Sequence, residues 1–218
     1  MYTDYMLMTA AKNVTRDVSL VFDFIERPYS PVRFKELLVS PNEMKQKFIR
    51  LINEEIKNKQ AGKPAYILIK INHITDPVMV KKLYEASSHG VRIDLLVRGN
   101  CSLITGVPGV SDTIRINGII DRYLEHSRIF IFANGGDEKM FIGSADWMPR
   151  NLDNRVEVIA PVYDPEIKAD LKRVVEYGLK DTLQGRVVDG TGENRPWISE
   201  DKTAFRSQEE LYLSLIHI

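Results

Sequence analysis

Between Ala65 and Val97 the chain switches repeatedly between two hydrophobic periods. AYILIKI (65–71) and RIDLLV (92–97) are nearly continuous apolar runs rich in β-branched residues, the pattern of strands covered on both faces. Between them Val80, Leu83 and Tyr84 follow Asp76 and Pro77, a capping oxygen and a first-turn proline, and Gly90 closes the helix they predict. Upstream, Met44, Phe48, Leu51, Ile52 and Ile56 mark another helix ending near Gly62, preceded by a short strand over Phe34 to Val39. Ser40, Pro41 and Glu43 read as its N-cap, first-turn proline and capping-box acid. Alternation of strand and helix predicts an α/β fold with a largely parallel sheet and helices packed over it.

From Thr113 the rhythm becomes strand on strand: TIRIN, RIFIF, KMFIG and RVEVIAPV, with Asn134, Gly135, Gly136 and Asp137 turning a hairpin between the second and third. Antiparallel neighbours or edges are expected there. Asp164 and Pro165 open a last helix through Ile167, Leu171, Val174, Val175 and Leu179, whereas Gln184 to Arg195 is polar, Gly-rich and without period. Near the start, Thr15, Val18, Val21, Phe22 and Ile25 predict an amphipathic helix capped by the Thr15 hydroxyl and ended before Pro28 and Pro31. No solenoid repeat is visible.

Composition narrows the class without selecting a function. The 218 residues suffice for one domain and part of another, and 44% hydrophobic with 28% charged residues is ordinary for a globular chain. No apolar run approaches the roughly 18 residues of a membrane span. Thirty basic against thirty acidic residues leave no net pull toward nucleic acid or anionic lipid, so polyanion binding has to be local and no nucleic-acid partner is expected. The single Cys101 excludes an internal disulfide and fits a reducing compartment, the cytoplasm, with peripheral contact at the inner membrane allowed. The first residues lack the order of a signal peptide and enter what looks like a packed segment, as an internal cut would. Leu213 to Ile218, His217 included, resembles translated adapter sequence and is set aside from the functional argument.

Candidate chemistry centres on a histidine. His126 stands at the mouth of the RIFIF strand, where an imidazole could give or take a proton or hold phosphate, or equally serve as a buried structural ring. Arg128, two residues on, would share a strand face with it about 7 Å away and could help grip an anion, or pair with Glu125 or Asp121. Arg98 ends RIDLLV just before Gly99, and open α/β sheets collect ligands beyond those strand ends. His73 and His89 belong to no paired motif and read as capping or solvent residues. No Cys/His cluster has metal-ligand spacing, and no Gly-Lys-Ser/Thr follows Gly135 and Gly136.

VRGNCSL, GVSDTIRINGIIDRYLEHSRIFIF, MFIGSADWMPRNLDNRVEV and the opening YTDY resemble the C-terminal part of the bacterial polyphosphate kinase family, enzymes that elongate inorganic polyphosphate from ATP. The resemblance runs from Tyr2 to about Trp197. It implies a phospholipase D-like mixed sheet with helices on both faces. Residues 1–33 would be the end of a first catalytic domain, 34–190 a second one, and 191–218 a poorly specified tail. In phospholipase D enzymes the matching motif is His-x-Lys with an aspartate further along. Here Arg128 replaces the lysine and Ala133 the aspartate, so lipid or nucleic-acid phosphodiester cleavage is not expected.

The same resemblance implies the site. Tyr2 matches a nucleotide-site tyrosine, Arg98 a phosphate-binding arginine and His126 a second essential histidine, with Arg128 a further phosphate contact. ATP or ADP and polyphosphate would be the substrates, and His126 the catalytic group of this part. The phosphohistidine and the ligands of the Mg2+ cofactor would lie upstream, leaving this chain inactive alone. The alternative is a non-catalytic module binding ATP or polyphosphate. Intact family members are usually oligomeric, so a homo-oligomer built with the missing N-terminal domains is expected.

Overall fold

The computed structural model describes residues 2–29, 31–198 and 203–216, and the side chains of Tyr2, Leu215 and Ile216 fall outside that description, as does His217. A two-residue strand β1 (Tyr2–Thr3) leads to helix α1 (Lys12–Glu26), then β2 (Leu38–Ser40), α2 (Met44–Gln60), β3 (Tyr66–Ile71), α3 (Pro77–Ser88) and β4 (Arg92–Val97). Strands β5 (Ile114–Ile119), β6 (Leu124–Glu125), β7 (Ile129–Phe132), β8 (Lys139–Gly143) and β9 (Glu157–Val162) follow. Helix α4 (Pro165–Lys180), β10 (Gly185–Val187) and α5 (Ser207–Ile216) complete the chain.

Eight strands form one mixed sheet in the order β10-β5-β4-β3-β7-β8-β9-β2. Its centre, β5-β4-β3, is parallel, and β7, β8, β9 and β2 continue it antiparallel. TIRIN therefore departs from expectation: as part of β5 it runs parallel to β4, and only its other neighbour, β10, is antiparallel. Side-chain alternation divides the core. Ile67, Ile69, Ile93, Leu95, Phe130 and Phe132 face α2 and α3. Leu68, Leu96, Ile129, Ile131 and Met140 face α4. Helices thus cover both faces, and Gly178 lets α4 approach closely, since a Cβ there would lie 2.4 Å from Leu96 Cδ1.

Caps explain which start signals held. Asp76 accepts from Val78 N and Met79 N, and Asp164 from Glu166 N and Ile167 N, each with a proline in the first turn. The expected cap at Ser40 is overturned: α2 starts at Met44 without a side-chain cap, and the buried Ser40 hydroxyl donates to the carbonyls of Asn151 and Arg155. Thr15 likewise lies inside α1, which starts at Lys12, and its hydroxyl bonds back to Ala11 O at 3.2 Å. Two described side chains after β10 pack onto α4: Trp197 Nε1 donates to Leu179 O and Phe205 stacks edge-on against Tyr177.

Candidate active site

The parallel strands β3 and β4 end side by side, and the antiparallel β7 begins, and β8 ends, at that same edge of the sheet. Asn72, Arg98, His126, Arg128 and Asp146 are thereby brought together from positions far apart in the chain. The loops carrying them are tied by backbone bonds. Gly99 N donates to Asn72 O at 2.9 Å, Ile74 N to Asn100 O at 2.9 Å and Trp147 N to His73 O at 3.1 Å. His73 accepts from Asn100 N through Nδ1, and its ring lies where a Cβ on residue 99 would be, 2.4 Å away. Gly99 is thus required for close approach rather than for a sharp turn.

Arg98 is the hub. Its Nε donates to Asn72 Oδ1 and to Glu125 O, both at 2.7 Å, and its Nη2 lies 3.2 Å from His126 Nδ1. An arginine N–H only donates, so Nδ1 is the accepting nitrogen and the neutral ring carries its proton on Nε2. Burial pushes the Arg98 guanidinium below its ordinary value, Asp146 pulls it back up, Arg128 lowers it again and Glu125 raises it. A guanidinium starting so high stays charged, so a permanent cation sits beside the imidazole.

Arg128 makes a different set of contacts from those the sequence suggests. Its Nη1 donates to the carbonyl of His126 at 2.8 Å, while Nε and Nη2 meet the two oxygens of Asp146 at 3.3 and 3.2 Å. Asp146, buried, also accepts from the backbone N–H groups of Asn72 and His73. Glu125 pairs instead with Lys70, at 2.7 Å, and Asp121 with Arg206, also at 2.7 Å. The carboxylate beside Arg128 thus comes from the exit of β8, whereas Ala133 is buried at the far end of β7. An open hollow of about 290 Å³, bordered by Asp4, Tyr5, Ser127, Arg128 and Ser144, adjoins the pair.

Tyr2 enters through its backbone. Strand β1 pairs parallel with β6, aligning Tyr2 with Leu124 and Thr3 with Glu125, and His126 N donates to Thr3 O at 2.9 Å. The N-terminal segment therefore lies against the strand that delivers His126, although the Tyr2 ring itself is outside the described residues. His89 caps the C-terminal end of α3, its Nδ1 2.8 Å from Glu85 O, remote from these groups. Burial pushes the Cys101 thiol up, against a hydrogen bond from Leu103 N–H, which disfavours a reactive thiolate. Sequence reading missed Asn72 and Asp146. Only Asp146 had a local signal, a carboxylate following Gly143, Ser144 and Ala145 at a strand exit.

Residues 37–208 match the model of the polyphosphate kinase C-terminal domain 2. The chain belongs to that family. It is 44% identical over 212 residues to the polyphosphate kinase of Escherichia coli strain K12 and 46% identical over 211 residues to that of Klebsiella pneumoniae. In both cases 97% of this chain matches 31% of the relative, so it spans under a third of their length. The crystal structure of polyphosphate kinase from Porphyromonas gingivalis superposes with a TM-score of 0.90 at 40% identity, covering 96% of this chain and 32% of that one. A phospholipase D family member, Nuc from Salmonella typhimurium, shares the fold at a TM-score of 0.50 and 15% identity, over 71% of this chain and 97% of that one. The polyphosphate kinase domain is thus built on a phospholipase D-like sheet. Among the described residues no helix is long and apolar enough to cross a membrane.

Proposed function

We propose that this chain is the C-terminal catalytic part of a phosphotransferase that moves the terminal phosphate of ATP to inorganic polyphosphate and back, through a phosphohistidine carried elsewhere in the complete protein. The observation that carries the reading is the Arg98 Nη2 to His126 Nδ1 contact of 3.2 Å in the crevice beyond β3 and β4, the place where α/β sheets collect ligands. The relatives named polyphosphate kinase support the substrate class.

In that reaction an imidazole nitrogen outside this chain attacks the γ-phosphorus, the bond to the bridging oxygen breaks, and ADP leaves with the electron pair. Phosphoryl transfer needs positioning and charge stabilisation more than covalent help from the protein. Arg98 supplies the fixed cation, offering its remaining N–H groups to phosphate oxygens. His126, protonated on Nε2, supplies a directional donor to the same group. That tautomer favours donation over a role as base, because Nδ1 is already occupied by Arg98. Tyr2, whose backbone pairs beside Leu124, would be the contact to the adenine. Arg128, held by Asp146, would border the phosphate path.

Among the described residues no three His, Cys, Asp or Glu side chains gather where they could hold a metal ion, although a magnesium that binds ATP phosphates needs only one or two carboxylates. On the reading proposed here, the protein ligands of the implied magnesium would belong to the rest of the enzyme. The remaining domains and further copies of the enzyme would be the protein partners.

In the complete enzyme, Arg98→Ala and His126→Ala should each lower ATP-dependent polyphosphate synthesis by about 10²–10³-fold, the scale of losing one charge-stabilising donor. Calorimetry should show weaker ATP binding for Arg98→Ala. Unchanged synthesis and unchanged ATP affinity in both variants would overturn the reading. The isolated chain mixed with ATP and magnesium should acquire no acid-labile phosphate, whereas stoichiometric labelling would place the phosphohistidine here.

A further inference from the structure

The strand that carries His126 is gripped from behind by the last helix. Gln208, buried at the first turn of α5, donates from Nε2 to Tyr123 O at 2.8 Å and accepts Tyr123 N at 2.9 Å through Oε1, so its amide pairs with residue 123 as a neighbouring strand would. The same Nε2 lies 3.0 Å from Glu125 Oε1, and the other Glu125 oxygen binds Lys70. The Glu125 carbonyl in turn receives Arg98 Nε. A small cavity of about 30 Å³, lined in part by Lys70, Arg98, Glu125 and Gln208, fills the angle between them, room for a water or two.

The helix is itself anchored. Buried Asp181, just after α4, accepts from both the N–H and the hydroxyl of Ser207, at 2.8 and 2.6 Å, and Arg206 pairs with Asp121 ahead of β6. Strand β6 is only two residues long and its described strand partner is β1, so few ladder bonds fix it. A side-chain amide supplying one donor and one acceptor to residue 123 replaces the missing ladder.

We propose that Gln208 is a positioning residue: by holding Tyr123 and Glu125 it sets the relative placement of the His126 imidazole and the Arg98 guanidinium for phosphate transfer. The inference rests on the phosphotransfer reading above. A small misplacement of reacting groups by a distant change lowers turnover by up to about 10²-fold.

The test is a double-mutant cycle in the complete enzyme with Gln208→Met, which keeps side-chain length and apolar bulk but neither donates nor accepts at those atoms. The expected result is a fall of about tenfold or more in kcat, with KM for ATP changed less, and a displaced limb of the pH–rate profile, in the range of small misplacements. In a His126→Ala background the same substitution should cost little more, because Gln208 acts through that ring. Should Gln208→Met melt below the assay temperature, Gln208→Asn, which keeps the amide but shortens its reach, takes its place in the cycle. If Gln208→Met leaves kcat and the pH profile unchanged while His126→Ala abolishes activity, the positioning role is wrong and the phosphotransfer reading stands. Additive losses in the cycle overturn it as well. If His126→Ala is also fully active, the underlying reading itself fails.

Discussion

At the scale of single residues, what decides function is less which groups are present than which partner each one finds. Arg98, Arg128 and Lys70 are three cations within one network, yet Asp146 and Glu125 hold the second and third, while Arg98 bonds the His126 ring. The sequence named His126, Arg98 and Arg128 because residue types and strand-end positions were legible, but the assignment of acids to bases depends on strands β7 and β8 meeting edge to edge. A second buried acid shows the same economy. Asp17 on α1 accepts from Glu36 N at 2.6 Å and Leu37 N at 3.1 Å, tying the helix to the turn before β2. Burial alone would raise its carboxyl, but the N–H of Glu36, the guanidinium of Arg16 and the N–H groups of Leu37 and Lys35 outweigh it and hold the group below its ordinary value. A carboxyl depressed in the folded state adds stability above its unfolded value, near 3.9, and that contribution disappears as pH falls through the folded value. Urea midpoints should therefore drop below about pH 4 in the natural chain, and Asp17→Asn should flatten that acid limb while lowering stability at neutral pH. An unchanged acid limb in the variant would refute the linkage.

At the scale of elements, periodicity named the long helices and central strands, and cap residues located the starts of α3 and α4. Asp76 and Asp164 turn one carboxylate oxygen back onto the first N–H groups, and the second oxygen of the buried Asp76 holds Lys45. Ser40 does not cap α2, because β2 is the sheet's edge and the segment 150–155 folds over it, presenting two carbonyls that claim the hydroxyl. Ser40→Ala should accordingly cost about 1–3 kcal/mol by leaving buried acceptors unpaired. Hydrogen exchange should quicken around residues 151–155 and stay unchanged in the first turn of α2. Fraying of α2 instead would restore the capping role. The same logic accounts for α5. Its start is fixed by Asp181 and Asp121, more than twenty residues distant, so no local signal marked it.

At the scale of the whole molecule, one cluster ties the site to the core. Phe48 of α2 packs 4.9 Å from Phe130 and 5.1 Å from Trp147, which follows Asp146 directly, so the α2 face of the sheet supports the loop that holds Arg128. Phe48→Ala should cost about 3–5 kcal/mol, the usual range for emptying a buried aromatic position. In the complete enzyme its activity at low temperature should fall less than its melting temperature suggests. Full activity loss in a fully folded variant would contradict a purely supporting role. A larger hollow, about 830 Å³ between α2 and the β8–β9 face, is lined by mixed lysines and glutamates away from this edge, so size alone does not locate the chemistry. By itself the sequence determined the α/β class, the strands of the sheet apart from β10, most helix limits and the resemblance of its motifs, because each depends on residues near one another in the chain. Only the tertiary structure decided that β5 runs parallel to β4, that β1 lies beside the His126 strand, that Asp146 rather than a nearer acid holds Arg128, and that Gln208 grips Tyr123. Those outcomes are pairings between distant segments, fixed by which hydrogen-bonding and charged groups the packed sheet leaves within reach of one another.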